Sequence, residues 1–261
     1  MHRSPVDASV DAIDAIDAGA AWHSLDDGGV GSIVARYRHA AYARFAEVVV
    51  AIGSASIPAG PLHLRLPSLP RMTVGEQLSL SNGWLAGECF RVEVGATVSS
   101  VPRPLDAAAL REAAGRAALV TGGDDSALPG LVDLDVVIAL IDADDLVRLA
   151  RTIGGLGPGL TPSGDDVLAG VLLIDALAGR PSSRRCEAIA AARTTRVASS
   201  FLAWAARGQS IEPVHLLLAA LAAGDDMQVA ARQRTIRSYG SSSGADLLLG
   251  LRLGLDREGR G

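Results

Sequence analysis

Lysine is absent from the 261 residues, so all 24 basic side chains are arginine. That excludes a Schiff-base lysine, a Walker A lysine and a kinase-type lysine at once. Cysteine is scarce: Cys89 and Cys186 form neither a C-x-x-C pair nor a disulfide framework, which suits a reducing compartment. The five histidines (His2, His23, His39, His63 and His215) lack the short spacings of zinc ligands, so no zinc site is expected. With 29 acidic groups against 24 basic ones, the net charge of -5 offers no basic footprint for DNA or RNA. No run reaches the ~18–20 uncharged apolar residues of a membrane span. The greasiest stretch, 167–177, is interrupted by Asp175. Residues 1–21, with Asp7, Asp11, Asp14 and Asp17 spaced three or four apart, do not read as a signal peptide, and a cytoplasmic protein is expected.

Aromatic residues make up only 3% of the chain, while 49% is hydrophobic. The core must therefore be built from Leu, Ala, Val and Ile, and the abundant Ala and Gly allow helices to approach closely. The aspartate spacing in residues 1–21 predicts an N-terminal helical segment with an acidic face. Residues 22–104 form a strand-rich domain, with strands expected over 32–38, 47–52, 62–66, 77–81 and 90–94, set off by Gly, Pro and the Asn82-Gly83 turn. Residues 105–261 form a helical domain, with helices expected over 106–119, 143–153, 166–178, 184–206, 213–222 and 227–238. Strands followed by helices predict an α+β fold: a small antiparallel β-sheet or barrel, then a C-terminal helical bundle.

One segment stands apart. Residues 154–164, within Gly154-Gly-Leu-Gly-Pro-Gly-Leu-Thr-Pro-Ser-Gly-Asp-Asp166, are too rich in Gly and Pro for a helix or central strand, and form a loop whose backbone a ligand can approach. A dinucleotide fingerprint is excluded by Leu160, where a third glycine would stand, and by the helix that precedes the loop. Ser163-Gly-Asp-Asp166-Val-Leu-Ala-Gly170 then recurs as Ser243-Gly-Ala-Asp246-Leu-Leu-Leu-Gly250. Each copy opens an apolar helix and places a serine, backbone N–H groups and an aspartate at its start.

The plain reading of Ser-x-x-Asp is a capping box, worth about 1 kcal/mol at each helix. The glycine loop and the extra Asp165 exceed what a cap needs. Amides and the helix dipole attract an anion, whereas the aspartates accept N–H bonds or hold a divalent cation. A ligand with an anionic end and an N–H end satisfies both. Asp165 and Asp166 are thus the candidate catalytic carboxylates. Gly157, Gly159, Thr161, Ser163, Gly164, Ser242, Ser243 and Asp246 are candidate ligand-binding residues. Thr195 and Ser199, four apart on one expected long helix, join them. No resident cofactor is expected; a divalent cation at the aspartate pair stays open.

The 155–166 motif, with Leu168 and Gly170, resembles a bacterial domain-of-unknown-function family that includes a subunit of the oxamate carbamoyltransferase of allantoin degradation. The resemblance runs on through Thr195 and Ser199 to Ser242-Ser243-Gly244-Ala-Asp246, so it covers most of residues 130–255; the strand-rich half matches only in general pattern. It implies transfer of a carbamoyl group between carbamoyl phosphate and oxamate, giving oxalurate and phosphate, by one of several different subunits of a hetero-oligomer. Relatives carry a histidine where this chain has Ser241, and an acid/base role for that histidine does not carry over. A non-catalytic subunit that binds a small acid or amide for a partner chain is the alternative, and a purely structural partner is a third reading.

Overall fold

A computed structural model describes residues 11–94, 105–121 and 125–260. The chain forms two compact units, Met1–Val101 and Pro102–Gly261, and the fold is α+β.

The first unit is a curled sheet. Its strands are β1 (Asp11–Ile13), β2 (Asp17–Ala18), β3 (Val30–Arg36), β4 (Ala40–Phe45), β5 (Val48–Ser54), β6 (His63–Leu66), β7 (Gln77–Ser81), β8 (Trp84–Ala86) and β9 (Phe90–Glu93), with a single helical turn, α1 (Ala20–His23), after β2. The strand order is β1-β9-β8-β7-β3-β4-β5-β6-β2. Pairing is antiparallel except for β1 with β9 and β5 with β6, so the sheet is mixed at its flanks rather than wholly antiparallel. Asn82 and Gly83 both take positive φ, 51° and 77°, which is what a two-residue hairpin between β7 and β8 demands. Trp22 is buried and donates its Nε1–H to the Leu62 carbonyl at 2.9 Å, pinning α1 to the sheet.

Of the helix expected over residues 1–21, the described residues form only the start of α1, at Ala20 and Ala21. Residues 11–13 and 17–18 are strands, because β9 and β6 offer unpaired edges that a short segment can close. Residues 1–10 lie outside the described part.

The second unit is helical: α2 (Ala107–Ala114), α3 (Leu134–Asp142), α4 (Leu146–Ile153), α5 (Ser163–Leu177), α6 (Ser182–Ala191), α7 (Arg196–Ala205), α8 (Glu212–Ala223), α9 (Asp226–Arg237) and α10 (Ser243–Arg260). Its buried cluster consists of Leu, Val, Ile and Ala alone among the described residues. α5 and α10 form its centre, and their backbones touch. A Cβ at Gly250 would lie 2.1 Å from the Val167 carbonyl oxygen, and one at Gly170 would lie 2.5 Å from the Leu251 nitrogen.

The helix expected over 184–206 is two helices. Thr195 caps α7, its Oγ1 accepting the Ala198 N–H at 3.0 Å, and a hydroxyl that serves a new helix start cannot also sit inside an old helix. Asp175, the apparent interruption of a greasy run, is fully buried and ringed by arginines. Among the described residues no helix is long and apolar enough to cross a membrane.

Candidate functional site

The sequence repeat is also a structural repeat. In the first copy α4 ends, the Leu156 N–H bonds back to Ile153, and the Leu156 carbonyl accepts the Gly164 N–H at 2.9 Å as α5 begins. In the second, the Tyr239 N–H bonds back to Ile236, and the Tyr239 carbonyl accepts the Gly244 N–H at 3.1 Å as α10 begins. Gly164 and Gly244 share one requirement. A Cβ at either would fall within 2 Å of a carbonyl oxygen at the end of the preceding helix, 1.8 Å from Ile153 and 1.9 Å from Ile236. Gly164 is therefore a packing residue, and its amide is already engaged.

The capping-box expectation fails in both copies. α5 starts on Pro162 without a side-chain cap, whereas α2, α4, α7 and α9 are capped by Asp106, Asp145, Thr195 and Asp225. The serines and aspartates of the repeat reach across instead of back. Ser163 Oγ lies 3.4 Å from Ser242 Oγ, and Thr161 Oγ1 lies 3.2 Å from Ser243 Oγ, so hydroxyls from the two helix starts meet. Asp246 Oδ1 accepts from Ser126 Oγ at 2.6 Å and from the Ala127 N–H at 2.9 Å, more than a hundred residues away in sequence.

Asp165, only 2% exposed, clamps the loop: one oxygen accepts the Gly155 N–H at 3.1 Å and the other accepts the Thr194 hydroxyl. Thr195 adds a second tie, its hydroxyl donating to the Leu160 carbonyl. Gly155 and Gly157 hold positive φ, 77° and 113°; a Cβ on Gly155 would strike the Arg193 carbonyl oxygen at 2.0 Å, and one on Gly157 would lie 2.8 Å from the Ser163 nitrogen. Gly159, φ 95°, sits exposed at the loop's tip with open space around it. Among the described residues the amides of Gly157, Gly159 and Ser163 donate to no protein group.

The structure thus brings together Gly157, Thr161, Ser163, Asp165, Asp166, Thr195, Ser242, Ser243 and Asp246, with Gly159 at the rim. Ser199, half-buried one turn into α7, has no hydroxyl bond to the loop among the described residues. Thr194 and Ser126 escaped the sequence reading; the paired threonines 194–195 were the one available signal, and Ser126 gave none. A groove of about 350 Å3 lined by Thr121, Gln233, Arg237 and neighbours runs along α9 and shares no lining residue with the glycine loop.

Charge is concentrated where hydroxyls meet. Burial pushes the Asp166 carboxyl well above its ordinary value of 3.8; a Ser243 hydrogen bond opposes this, and the charges of Asp246 and Asp165 add to it. Burial also raises Asp165, against bonds from Thr194 and Gly155. Asp166 Oδ2 and Asp246 Oδ2 are shut off from solvent without a hydrogen-bond partner. A carboxyl whose folded value exceeds its unfolded one contributes stability that is full below the unfolded value and lost as pH rises through the folded value. Asp166→Asn is therefore expected to stabilise the protein by about 0.5–2 kcal/mol near neutral pH and to change little below about pH 4. Thermal unfolding at both ends of that range checks it, and equal shifts at both would sink the assignment.

Residues 153–255 match the family model described as oxamate carbamoyltransferase subunit AllH. This segment is similar to the AllH family. It contains every candidate residue, from Gly157 to Asp246, and both copies of the Ser-Gly-x-Asp repeat, while the curled sheet lies outside it. No solved structure matches the chain.

Proposed function

We propose that this chain is a cytoplasmic subunit of a carbamoyltransferase-type enzyme, acting on carbamoyl phosphate and oxamate, or oxalurate in reverse, together with other protein subunits. The observation that carries the reading is the meeting of two helix starts, where hydroxyls of Thr161, Ser163, Ser242 and Ser243 lie beside the carboxylates of Asp166 and Asp246. The hydroxyls and the free amides of Gly157, Gly159 and Ser163 suit a phosphate or carboxylate; the carboxylates suit an amide nitrogen.

In the forward reaction the amide nitrogen of oxamate bonds to the carbamoyl carbon, the bond from that carbon to the phosphate oxygen breaks, and the nitrogen gives up a proton. Positioning and stabilisation of charge on the carbonyl and leaving phosphate supply most of what is needed, and no covalent intermediate on the protein is required. Asp166, whose burial makes its carboxylate a stronger base than an ordinary aspartate, is the group placed to take that proton. Asp165 holds the loop in shape and acts through it, and Thr195 supports the same loop. A binding subunit that leaves the chemistry to a partner is favoured by one observation: both Asp165 oxygens are already engaged, one by the Gly155 N–H and the other by the Thr194 hydroxyl.

Calorimetric titration of the chain with carbamoyl phosphate, phosphate, oxamate and oxalurate, with and without magnesium, tests the reading. Asp165→Ala and Ser163→Ala are expected to weaken binding at least about tenfold, a loss of about 1.4 kcal/mol. Binding without turnover, rescued by co-purified partners, selects the binding subunit. Unchanged affinities in both variants would remove the loop from the site.

A further inference from the structure

Buried carboxylate oxygens without donors are rare, because desolvation is uncompensated until a donor arrives. Among the described residues there are two, at equivalent places of the internal repeat. Asp246 is 0% exposed, and its Oδ1 is saturated by Ser126 Oγ, the Ala127 N–H and, at 3.4 Å, the Leu128 N–H, which fix the carboxylate and leave Oδ2 over. Asp166 Oδ2 is the corresponding leftover on α5, and the helix starts that carry the two carboxylates meet through the Thr161–Ser243 and Ser163–Ser242 hydroxyl pairs.

Two acceptors with no donor define their complement. An anion would be repelled, a methyl group would leave both oxygens unpaired, and a hydroxyl has one hydrogen to give. A planar –NH2 group has two. The hydroxyls of Thr161, Ser163, Ser242 and Ser243 beside the pair supply what an attached anionic group needs.

We propose that the unpaired Oδ2 atoms of Asp166 and Asp246 together receive the two N–H bonds of one substrate –NH2 group, and that this pair selects primary amides and carbamoyl compounds over acids and acyl compounds of the same shape. The inference rests on the carbamoyltransferase reading and adds Asp246 as a specificity-determining residue, contributed by the second copy of the repeat. A site built to bond a polar hydrogen rejects the isostere that lacks it far more strongly than an apolar pocket rejects a change of size.

Two ligand pairs isolate the nitrogen: carbamoyl phosphate against acetyl phosphate, with CH3 for NH2, and oxamate against oxalate, with an oxygen for NH2. Titrated into the full chain, at least one amide is expected to bind about 100-fold more tightly than its partner, and the pair that discriminates names the substrate whose nitrogen sits there. Asp246→Asn, which keeps the shape and Oδ1 but offers an NH2 where an acceptor is needed, is expected to reduce that ratio to below about tenfold while inorganic phosphate binds as before. Should the variant not fold, the two ratios of the unsubstituted chain decide alone. Equal affinities within both pairs overturn the clamp and leave the carbamoyltransferase reading standing. Silence toward every ligand from a folded chain overturns both. Magnesium bound on its own and lost in Asp246→Asn would assign the two oxygens to a cation and overturn the clamp.

Discussion

Asp175→Ala is expected to cost about 3–5 kcal/mol of folding stability, the usual penalty for leaving buried charge unpaired. Asp175 lies in the C-terminal part of α5, fully buried, and accepts from Arg185 Nη1 at 2.9 Å, Arg257 Nη2 at 3.3 Å and Arg180 Nη1 at 3.4 Å. Arg185 and Arg257 are themselves nearly buried. Arg185 keeps the Ala206 and Arg180 carbonyls after the substitution, and Arg257 keeps Asp144 and Glu258, which places the loss toward the lower end of that range. Asp175→Asn, which retains an acceptor oxygen, is expected to cost less. Urea unfolding with an unchanged slope measures the difference. A loss below about 1 kcal/mol for Asp175→Ala would mean that the arginines find other partners and the cluster is dispensable.

Asp144 at the edge of that cluster gives the pH dependence opposite to that of Asp166. A hydrogen bond from Arg184 holds its carboxyl below the ordinary value, so its contribution is present above 3.8 and lost as pH falls through the folded value. Nearly half of its side chain is exposed, and solvent keeps that contribution small.

Asp175 also marks the limit of what the chain reveals before it folds. Its place within an apolar helix is plain from the sequence, but Arg257 stands 82 residues later and nothing local connects them. The same limit governs the rest. β7 falls where its alternating Gln-Leu-Ser-Leu-Ser predicts, while β4, Ala40-Ala-Tyr-Ala-Arg-Phe45, has too few β-branched residues to announce itself and owes its conformation to β3 and β5 on either side. α3 is the reverse case: Val136, Val137 and Ile138 favour a strand, and the Asp133 cap with packing on α4 makes a helix. At the site, the repeat, its glycines and its hydroxyls were legible because they are local. The direction in which the aspartates reach was not, because Thr194 and Ser126 come from other segments.

A methyl group at Gly250 is expected to damage both stability and ligand binding. Alanine is the better helix former by about 1 kcal/mol, so local preference alone predicts a gain. The added Cβ would lie 2.1 Å from the Val167 carbonyl oxygen and 2.8 Å from its carbon, both backbone atoms that no rotamer can move aside. Relief requires α5 and α10 to part by about 1 Å, and overpacking of this kind costs about 1–3 kcal/mol. The net loss is therefore modest beside that of Asp175→Ala. The functional loss is larger, since Thr161 and Ser163 meet Ser243 and Ser242 only because the two helices touch within about two turns of their starts, and a shift of about 1 Å separates hydroxyls that now stand 3.2 and 3.4 Å apart. Gly170→Ala, which would bring a Cβ to 2.5 Å from the Leu251 nitrogen, is expected to reproduce the effect from the other side of the contact. Calorimetry and thermal unfolding on both variants separate the two consequences: affinity lost about 10–100-fold with most of the stability kept makes the glycine contact the element that assembles the site. Wild-type affinity in either variant would show that the two helix starts bind independently of how their helices cross.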